Sequence, residues 1–272
     1  MSSGGQWEQA RAALAEPDPP AKCRRVAALW AQVASGQWVP TDPGPPGDLP
    51  CGRPQRPEMV PPSQLPRRGL GSVEGRQALI HAIAHIEFNA INLGLDAALR
   101  FPGMPDGFYR DWLSVAADEA RHFAMLNARL GELGTTYGDL PAHNGLWEMA
   151  EKTAHDVLIR MALVPRVLEA RGLDVTPGMI DRLAAVGDEE TVALLQVILE
   201  EEEEHVAIGS RWFRALCAQR KLEPEATFRR LLEEYFNGPL RGPFNLDARR
   251  RAGFSAEEID QLAAMDRADQ PA

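Results

Sequence analysis

The sequence has few cysteines and an excess of acidic residues, and both features exclude classes of protein. Only 3 of the 272 residues are cysteine, and no two of them form a Cys-x-x-Cys pair. This excludes a disulfide framework and a cysteine-rich metal site, and it fits a reducing compartment. The formal net charge is −10, which disfavours nucleic acid as the main partner.

Long apolar runs and targeting signals are also missing. No apolar run approaches the roughly 20 residues that span a bilayer. The N-terminal MSSGGQWEQARAALAEPDPP has neither the basic region nor the apolar core of a secretion signal. We therefore expect a cytoplasmic protein that does not enter a membrane. Two short basic clusters, at 67–69 and 248–251, are interpreted as solvated surface or ion-pair partners, with a binding patch as the alternative.

The first 68 residues predict two helices followed by an extended arm. Helical periodicity covers 5–16 and 20–35, and the tract 37–68 is rich in proline. Proline at this density excludes helices and central strands. Met59 and Val60 within the tract suggest that the arm docks on a neighbouring surface.

The rest of the chain predicts long helices and no strands. Four long helices are expected over 73–101, 106–134, 146–171 and 188–220, with shorter ones over 177–186, 224–236 and 255–265. The fold class is therefore all-α: a four-helix bundle with an N-terminal helical and proline-rich arm and extra C-terminal helices. The predicted parts are 1–68 for the arm, 69–220 for the bundle, and 221–272 for a C-terminal extension packed on it.

A run of five glutamates, Glu200–Glu204, stands between apolar segments in ILEEEEEHVAIG. Successive helical residues turn by about 100°, so such a run cannot face water throughout. Residues at i and i+3 share a helix face, and this places Glu202 beside His205. The same Glu-x-x-His pattern recurs in AADEARHFAML, with Glu119 and His122.

Each Glu-x-x-His helix follows a helix that carries one glutamate in an apolar context. These are Glu87, in HAIAHIEFNAINL, and Glu169, in MALVPRVLEARG. Glu87 precedes Glu119 by 32 residues, and Glu169 precedes Glu202 by 33. This Glu, Glu-x-x-His pattern, repeated in two near-equal halves, is the ligand set of dinuclear carboxylate sites in helix bundles. Four separate glutamates paired with arginines are the alternative.

Charge balance supports metal ions at these residues. Four carboxylates buried together would repel one another and bind protons. Two divalent cations balance four carboxylates and two neutral imidazoles. Oxygen ligands combined with imidazole suit iron, or manganese, or a mixed pair, better than a thiolate-seeking metal.

The phrases HAIAHIEFNAINLGLDA and ADEARHFAML resemble the ferritin-like di-iron carboxylate superfamily, over 69–220. The closest likeness is to a bacterial ferritin-like family of uncharacterised function, and a more distant one is to tRNA hydroxylases. The resemblance implies bridging or near-bridging roles for Glu119 and Glu202, and terminal roles for Glu87 and Glu169. It gives each metal one histidine, His122 or His205. Asp118 and Glu201 match the acids that accept the far N–H of a ligand histidine on the opposite helix.

The resemblance covers several activities, and the residues present disfavour some of them. Two histidines argue against a ferritin oxidation site, and the scattered cysteines argue against a rubrerythrin. Tyr109, Tyr137 and Tyr235 are all remote in sequence from the ligands, which argues against a radical-storing subunit. An O2-activating oxidase or monooxygenase remains, with a ferroxidase or metal-handling protein as the alternative.

Such an oxidase implies partners besides O2. It needs an external electron donor, because the chain carries no flavin or iron–sulfur motif. The acidic charge favours a small-molecule substrate over RNA, and a homodimer stays open.

Three residues outside the ligand set carry further hypotheses. His81 and His85 share a helix face, and we favour packing or capping over a zinc pair for them. Pro165 lies inside a predicted helix four residues before Glu169. It predicts a bend or a π-bulge there, which opens space beside the metals, or else a tolerated kink.

Overall fold

The computed structural model describes residues 3–65, 69–236 and 240–268. Its helices are α1 Ser3–Ala15, α2 Pro19–Ala34, a 3-10 turn Pro62–Gln64, α3 Val73–Arg100, α4 Asp106–Glu132, α5 Gly145–Lys152, α6 Val157–Leu163, a π-helix Val164–Glu169, α7 Ala170–Ala184, α8 Glu189–Arg220, α9 Pro224–Tyr235, α10 Leu246–Arg251 and α11 Ala256–Ala268. These three ranges contain no strand, only one isolated parallel bridge between Met59 and Ala142. The predicted all-α helical bundle is confirmed.

The chain divides into two compact units, Met1–Glu148 and Met149–Ala272. In the first unit, α3 and α4 form the principal helix pair, and α1 and α2 pack against them. In the second unit, α6, the π-helix and α7 pack against α8, and α9 and α10 add further contacts. Each unit therefore holds one of the two helix pairs that carry the repeated glutamate pattern.

Helix α3 is the core helix of the first unit. Ser72 caps its start by accepting the Gly75 N–H at 3.1 Å. Every residue from Glu87 to Leu99 is buried. The helix is long and apolar enough to pass a test for a membrane span, but 72% of that segment is buried inside the protein. Its apolar composition is accounted for by packing in the core.

The close packing of α3 on α4 depends on Gly94. A Cβ atom at this position would lie 2.9 Å from both the Ala116 nitrogen and the Trp112 carbonyl oxygen. Only a residue without a side chain allows the two backbones to approach so closely. This approach brings the face of α3 that carries Glu87 up to α4.

The proline-rich arm contacts the rest of the first unit through both its backbone and its side chains. The Val60 N–H donates to the Ala142 carbonyl at 2.8 Å, and the Ala142 N–H donates to the Glu58 carbonyl at 2.9 Å. The guanidinium of Arg53 lies 5.1 Å from the centre of the Trp147 ring. The side chain of Met59, expected to dock, is 41% exposed. The contact that Met59 and Val60 suggested is made there by backbone hydrogen bonds, and Trp38, at 4% exposure, is a buried side chain of the arm.

The predicted helix over 146–171 is interrupted, which corrects the sequence expectation. α5 ends at Lys152 and α6 begins at Val157. Asp156 caps α6 by accepting the Leu158 N–H at 2.7 Å. The Arg160 guanidinium binds the Thr153 hydroxyl at 2.8 Å and the Ala150 carbonyl. These interactions make the break a fixed feature, and helical periodicity alone could not reveal them.

The predicted start of a helix at Pro177 was also wrong, because Pro177 lies inside α7. Proline has no N–H for the carbonyl four residues earlier, that of Leu173. The Asn245 side chain donates to this carbonyl at 3.2 Å instead. A tertiary hydrogen bond thus replaces the missing helical one.

The π-bulge expected at Pro165 is present, as the π-helix Val164–Glu169. Its proline ring packs against α8 at Gly209, where a Cβ atom would lie 2.3 Å from the proline Cγ. A π-bulge inserts one residue into the helical register. Because Gly209 has no side chain, α8 leaves room for the proline ring of the bulge.

This contact predicts a specific loss of stability. Gly209→Ala should lower the free energy of unfolding by about 1–3 kcal/mol, because the added methyl overpacks a rigid proline ring. Thermal unfolding followed by circular dichroism measures the change. Gly178→Ala is the control, since Gly178 is exposed inside α7 with no atom within 4 Å of an added Cβ. That change should leave stability equal or raise it by about 1 kcal/mol. Equal melting curves for the two variants would contradict the packing assignment.

Candidate metal centre

Glu87, Glu119 and His122 meet at a buried point of the first unit. Glu87 projects from α3, and the other two project from α4 one helical turn apart. The Nδ1 atom of His122 lies 3.4 Å from the Glu87 Oε2 and 3.5 Å from the Glu119 Oε2. The three side chains are at most 4% exposed. The three residues predicted as metal ligands in the first half of the repeat are thus neighbours.

The electrostatics of this group favour a positive charge beside the two carboxylates. Burial and then the neighbouring Glu119 carboxylate raise the pKa of Glu87 to about 8. Burial lowers the pKa of His122, but hydrogen bonds to Glu119 and Glu87 outweigh it and raise this pKa to about 11. Protons therefore hold the three groups together without a metal, and a divalent cation can take over this role.

The separations between the His122 nitrogen and the two carboxylates fit one metal ion. Metal–nitrogen and metal–oxygen bonds of about 2.1 Å allow two ligand atoms of one ion to lie at most about 4.2 Å apart. Both separations from the His122 Nδ1 satisfy this limit, and one ligand atom from each of Glu87, Glu119 and His122 lies within 4.8 Å of the others. The first unit therefore contains a buried acidic and histidine group that could hold a metal ion.

The second unit carries the other Glu-x-x-His pair on α8. The His205 Nδ1 lies 3.4 Å from the Glu202 Oε1. Within the glutamate run, Glu200 and Glu204 are exposed and Glu202 is 9% exposed. The inward position of Glu202, inferred from the i, i+3 spacing, agrees with this burial.

Glu169 reaches its place through the π-helix. It is the last residue of that helix and is 8% exposed. The π-helix packs directly on α8, the helix that bears Glu202 and His205. The residues of the second half-repeat thus lie on two packed elements, as those of the first half-repeat do.

The two acids expected to orient the histidines are less buried than the ligands. Asp118 accepts a hydrogen bond from the Arg121 guanidinium at 3.0 Å and is 39% exposed. Glu201 is half-buried beside Glu202. Their predicted role toward the histidines stays a prediction.

The histidine pair on α3 forms a packed cluster with Tyr137, a partner that no sequence pattern indicated. The His81 Nε2 accepts the Gly138 N–H at 2.9 Å, and the His85 Nδ1 lies 2.9 Å from the Tyr137 hydroxyl oxygen. Burial lowers the pKa of both histidines to about 4. These contacts agree with the packing and capping role favoured for the pair.

Tyr137 is nearer to the candidate ligands than its sequence position indicated. Its ring centre lies 5.5 Å from that of Phe88 and 5.0 Å from that of Phe123. These phenylalanines directly follow Glu87 and His122. No local pattern in the sequence predicts this contact, because the loop after α4 folds back onto α3.

The basic cluster at 248–251 is engaged in ion pairs. Arg249 is buried and binds Asp174 through two hydrogen bonds of 2.9 and 2.7 Å. Arg250 pairs with Asp247 at 2.6 Å. Arg251 binds Glu203 of the glutamate run, with its Nε 2.6 Å from the Oε2. The ion-pair interpretation agrees with these contacts. Arg67 and Arg68 of the other cluster lie outside the described residues.

A cavity of about 790 Å³ lies between α9 and α11. Phe228, Leu232, Phe254 and Leu262 give it an apolar lining. None of the six candidate ligands is among its lining residues. This cavity is therefore distinct from the candidate metal centre.

Comparison with known proteins places the chain in a family. Residues 15–260 match the family described as "Protein of unknown function (DUF455)". The chain is 45% identical over 267 residues to a Haemophilus influenzae protein named "Uncharacterized protein", and the match covers 94% of this chain and 93% of that protein. No solved structure matches the chain. The chain belongs to the DUF455 family.

Proposed function

We propose that the protein is a dinuclear-metal oxidoreductase that activates O2, an oxidase or monooxygenase. The observation that carries this proposal is the buried Glu87, Glu119 and His122 group, together with a second copy of its residue pattern on buried helices. In this proposal Glu87, Glu119, His122, Glu169, Glu202 and His205 are the six protein ligands.

The internal repeat supports a second metal. Glu119 to His122 and Glu202 to His205 have the same spacing, and both histidines direct Nδ1 to the glutamate of their own pair at 3.4–3.5 Å. Equivalent side chains that are all at most 9% exposed favour an equivalent ligand. Four buried carboxylates in total then balance two divalent cations.

The donor atoms favour iron, with manganese as the substitute. Carboxylate oxygen and imidazole nitrogen are the donors of redox-active iron and manganese sites. The 3 cysteines offer no competing thiolate set, since Cys23 and Cys51 are half-buried and Cys217 is buried elsewhere. When bound, two such ions supply the electrons that reduce O2.

The chain's own residues perform the remaining tasks. Glu87, Glu119, Glu169 and Glu202 would hold the metals through their carboxylate oxygens, and His122 and His205 through their imidazole nitrogens. Asp118 and Glu201 keep the ligand imidazoles oriented by accepting their far N–H groups. The apolar walls of α3 and α4 keep water away, which strengthens every charge interaction at the site.

The ion pairs of Arg249, Arg250 and Arg251 support a small-molecule substrate over RNA. A phosphate backbone is bound by arginines that can exchange counterions for phosphates, and here each arginine has a carboxylate partner. The electrons for each turnover come from an external donor.

Metal content tests the ligand assignment. We expect the protein to bind two Fe(II) per chain under anaerobic conditions, and Glu202→Gln to weaken binding by at least about tenfold. Glu200→Gln is the matched control, because it removes the same charge from an exposed position of the same run. At 100 times the dissociation constant, each bound metal should stabilise the fold by about 2.7 kcal/mol. Equal metal binding by the two variants would refute the assignment.

Reaction with O2 tests the activity. The protein loaded with two Fe(II) should consume O2 and retain both ions as Fe(III), because each metal keeps one histidine and shares four carboxylates. An oxygen electrode and iron analysis after gel filtration measure the two quantities. Iron that is released, or that accumulates beyond two per chain, would instead establish a ferroxidase or metal-handling protein.

A further inference from the structure

The π-helix of the second unit contains a fully buried arginine, Arg166. Its Nη2 donates to the Glu258 Oε1 at 2.6 Å, and its Nε donates to the Ser210 Oγ at 3.3 Å. The guanidinium carbon lies 4.6, 4.4 and 4.6 Å from the ring centres of Phe213, Phe228 and Phe254. One cation is thus surrounded by three aromatic faces and a buried carboxylate.

The partners of Arg166 come from three separate elements. Ser210 and Phe213 belong to α8, Phe228 belongs to α9, and Glu258 belongs to α11. Glu258 is itself fixed, since its Oε2 accepts the Ser255 N–H at 2.8 Å. The side chain of Arg166 therefore joins the π-helix to the C-terminal helices α9 and α11.

This attachment bears directly on Glu169, which ends the same π-helix three residues later. A π-bulge holds one residue more than the α-helical register. If the bulge relaxed or moved along the chain, the side chains that it passed would rotate by about 100°. The direction of Glu169 consequently depends on the position of the bulge, and Arg166 is the bulge residue that is fixed to other elements by an ion pair.

We propose that Arg166 is a positioning residue for Glu169, through which the C-terminal helices α9 and α11 set the affinity of the second metal. The inference rests on the proposed dinuclear function. The hydrogen-bond and ring partners of Arg166 given above include none of the candidate ligands. It acts by fixing the register of the backbone that carries Glu169.

Co(II) is the probe for this role, because its visible absorption reports the geometry of each bound ion. Competition with a chelator gives the two binding constants separately. In Arg166→Met, we expect the second constant to fall at least tenfold and the first to stay within threefold. Arg166→Lys keeps a cation beside Glu258 and should restore part of the loss.

Arg249→Met is the matched control. Arg249 is also a buried arginine, stacked at 5.0 Å on Phe254 and paired with Asp174 on α7. It belongs to the same C-terminal region but makes no described contact with the π-helix. Its replacement should lower the melting temperature while both Co(II) constants and the spectrum stay unchanged.

The outcomes separate this inference from the proposed function. If the wild-type protein fails to bind two Co(II) ions, the dinuclear proposal fails. If it binds two and Arg166→Met binds them with unchanged constants and spectrum, the positioning role is overturned. Parallel loss of both metals in Arg166→Met and Arg249→Met also overturns it. Should Arg166→Met not fold, Glu258→Gln keeps the shape, and selective loss of the second metal remains the expected result.

Discussion

The structure depends on carboxylates that are buried in apolar helices and need a compensating positive charge. Glu87 and Glu119 lie side by side with His122 in the core of the first unit. Charges placed so deep are tolerated only when they are paired, protonated or bound to metal. Protons satisfy the group without metal, as the raised pKa of Glu87 shows. The same groups become ligands when a cation displaces those protons.

Helix packing serves this constraint in both units. Gly94 lets α3 approach α4 closely, and Gly209 makes room on α8 for the ring of Pro165. Each glycine lies seven residues, two helical turns, after a candidate ligand, Glu87 or Glu202. The two helix pairs therefore reach their close contacts by different local means, a plain α-helix in one and a π-helix in the other.

The sequence predicted the features that depend on local spacing. Apolar neighbours on both sides indicated that the glutamate run cannot face water throughout, and the i, i+3 spacing to His205 identified Glu202 as its inward member. Pro165 predicted a bend or a π-bulge, with a tolerated kink as the alternative, because its missing N–H disturbs the helix, and the structure has the π-helix. In these cases the residues that determine the local structure lie within two helical turns of the feature that they predict.

Features that depend on distant contacts escaped prediction. The break before Val157 is held by the side chain of Arg160, and Pro177 stays helical because Asn245 binds the Leu173 carbonyl. The approach of Tyr137 to α3 likewise arises from a loop that returns to it. In each case the partner lies too far away in the chain for a periodic pattern to indicate it.

Anomalous diffraction at the iron absorption edge, from crystals loaded with Fe(II), tests the dinuclear assignment most directly. Two anomalous peaks per chain are expected at the six candidate ligands, Glu87, Glu119, His122, Glu169, Glu202 and His205. A single peak, or iron only at surface carboxylates, would contradict the dinuclear assignment.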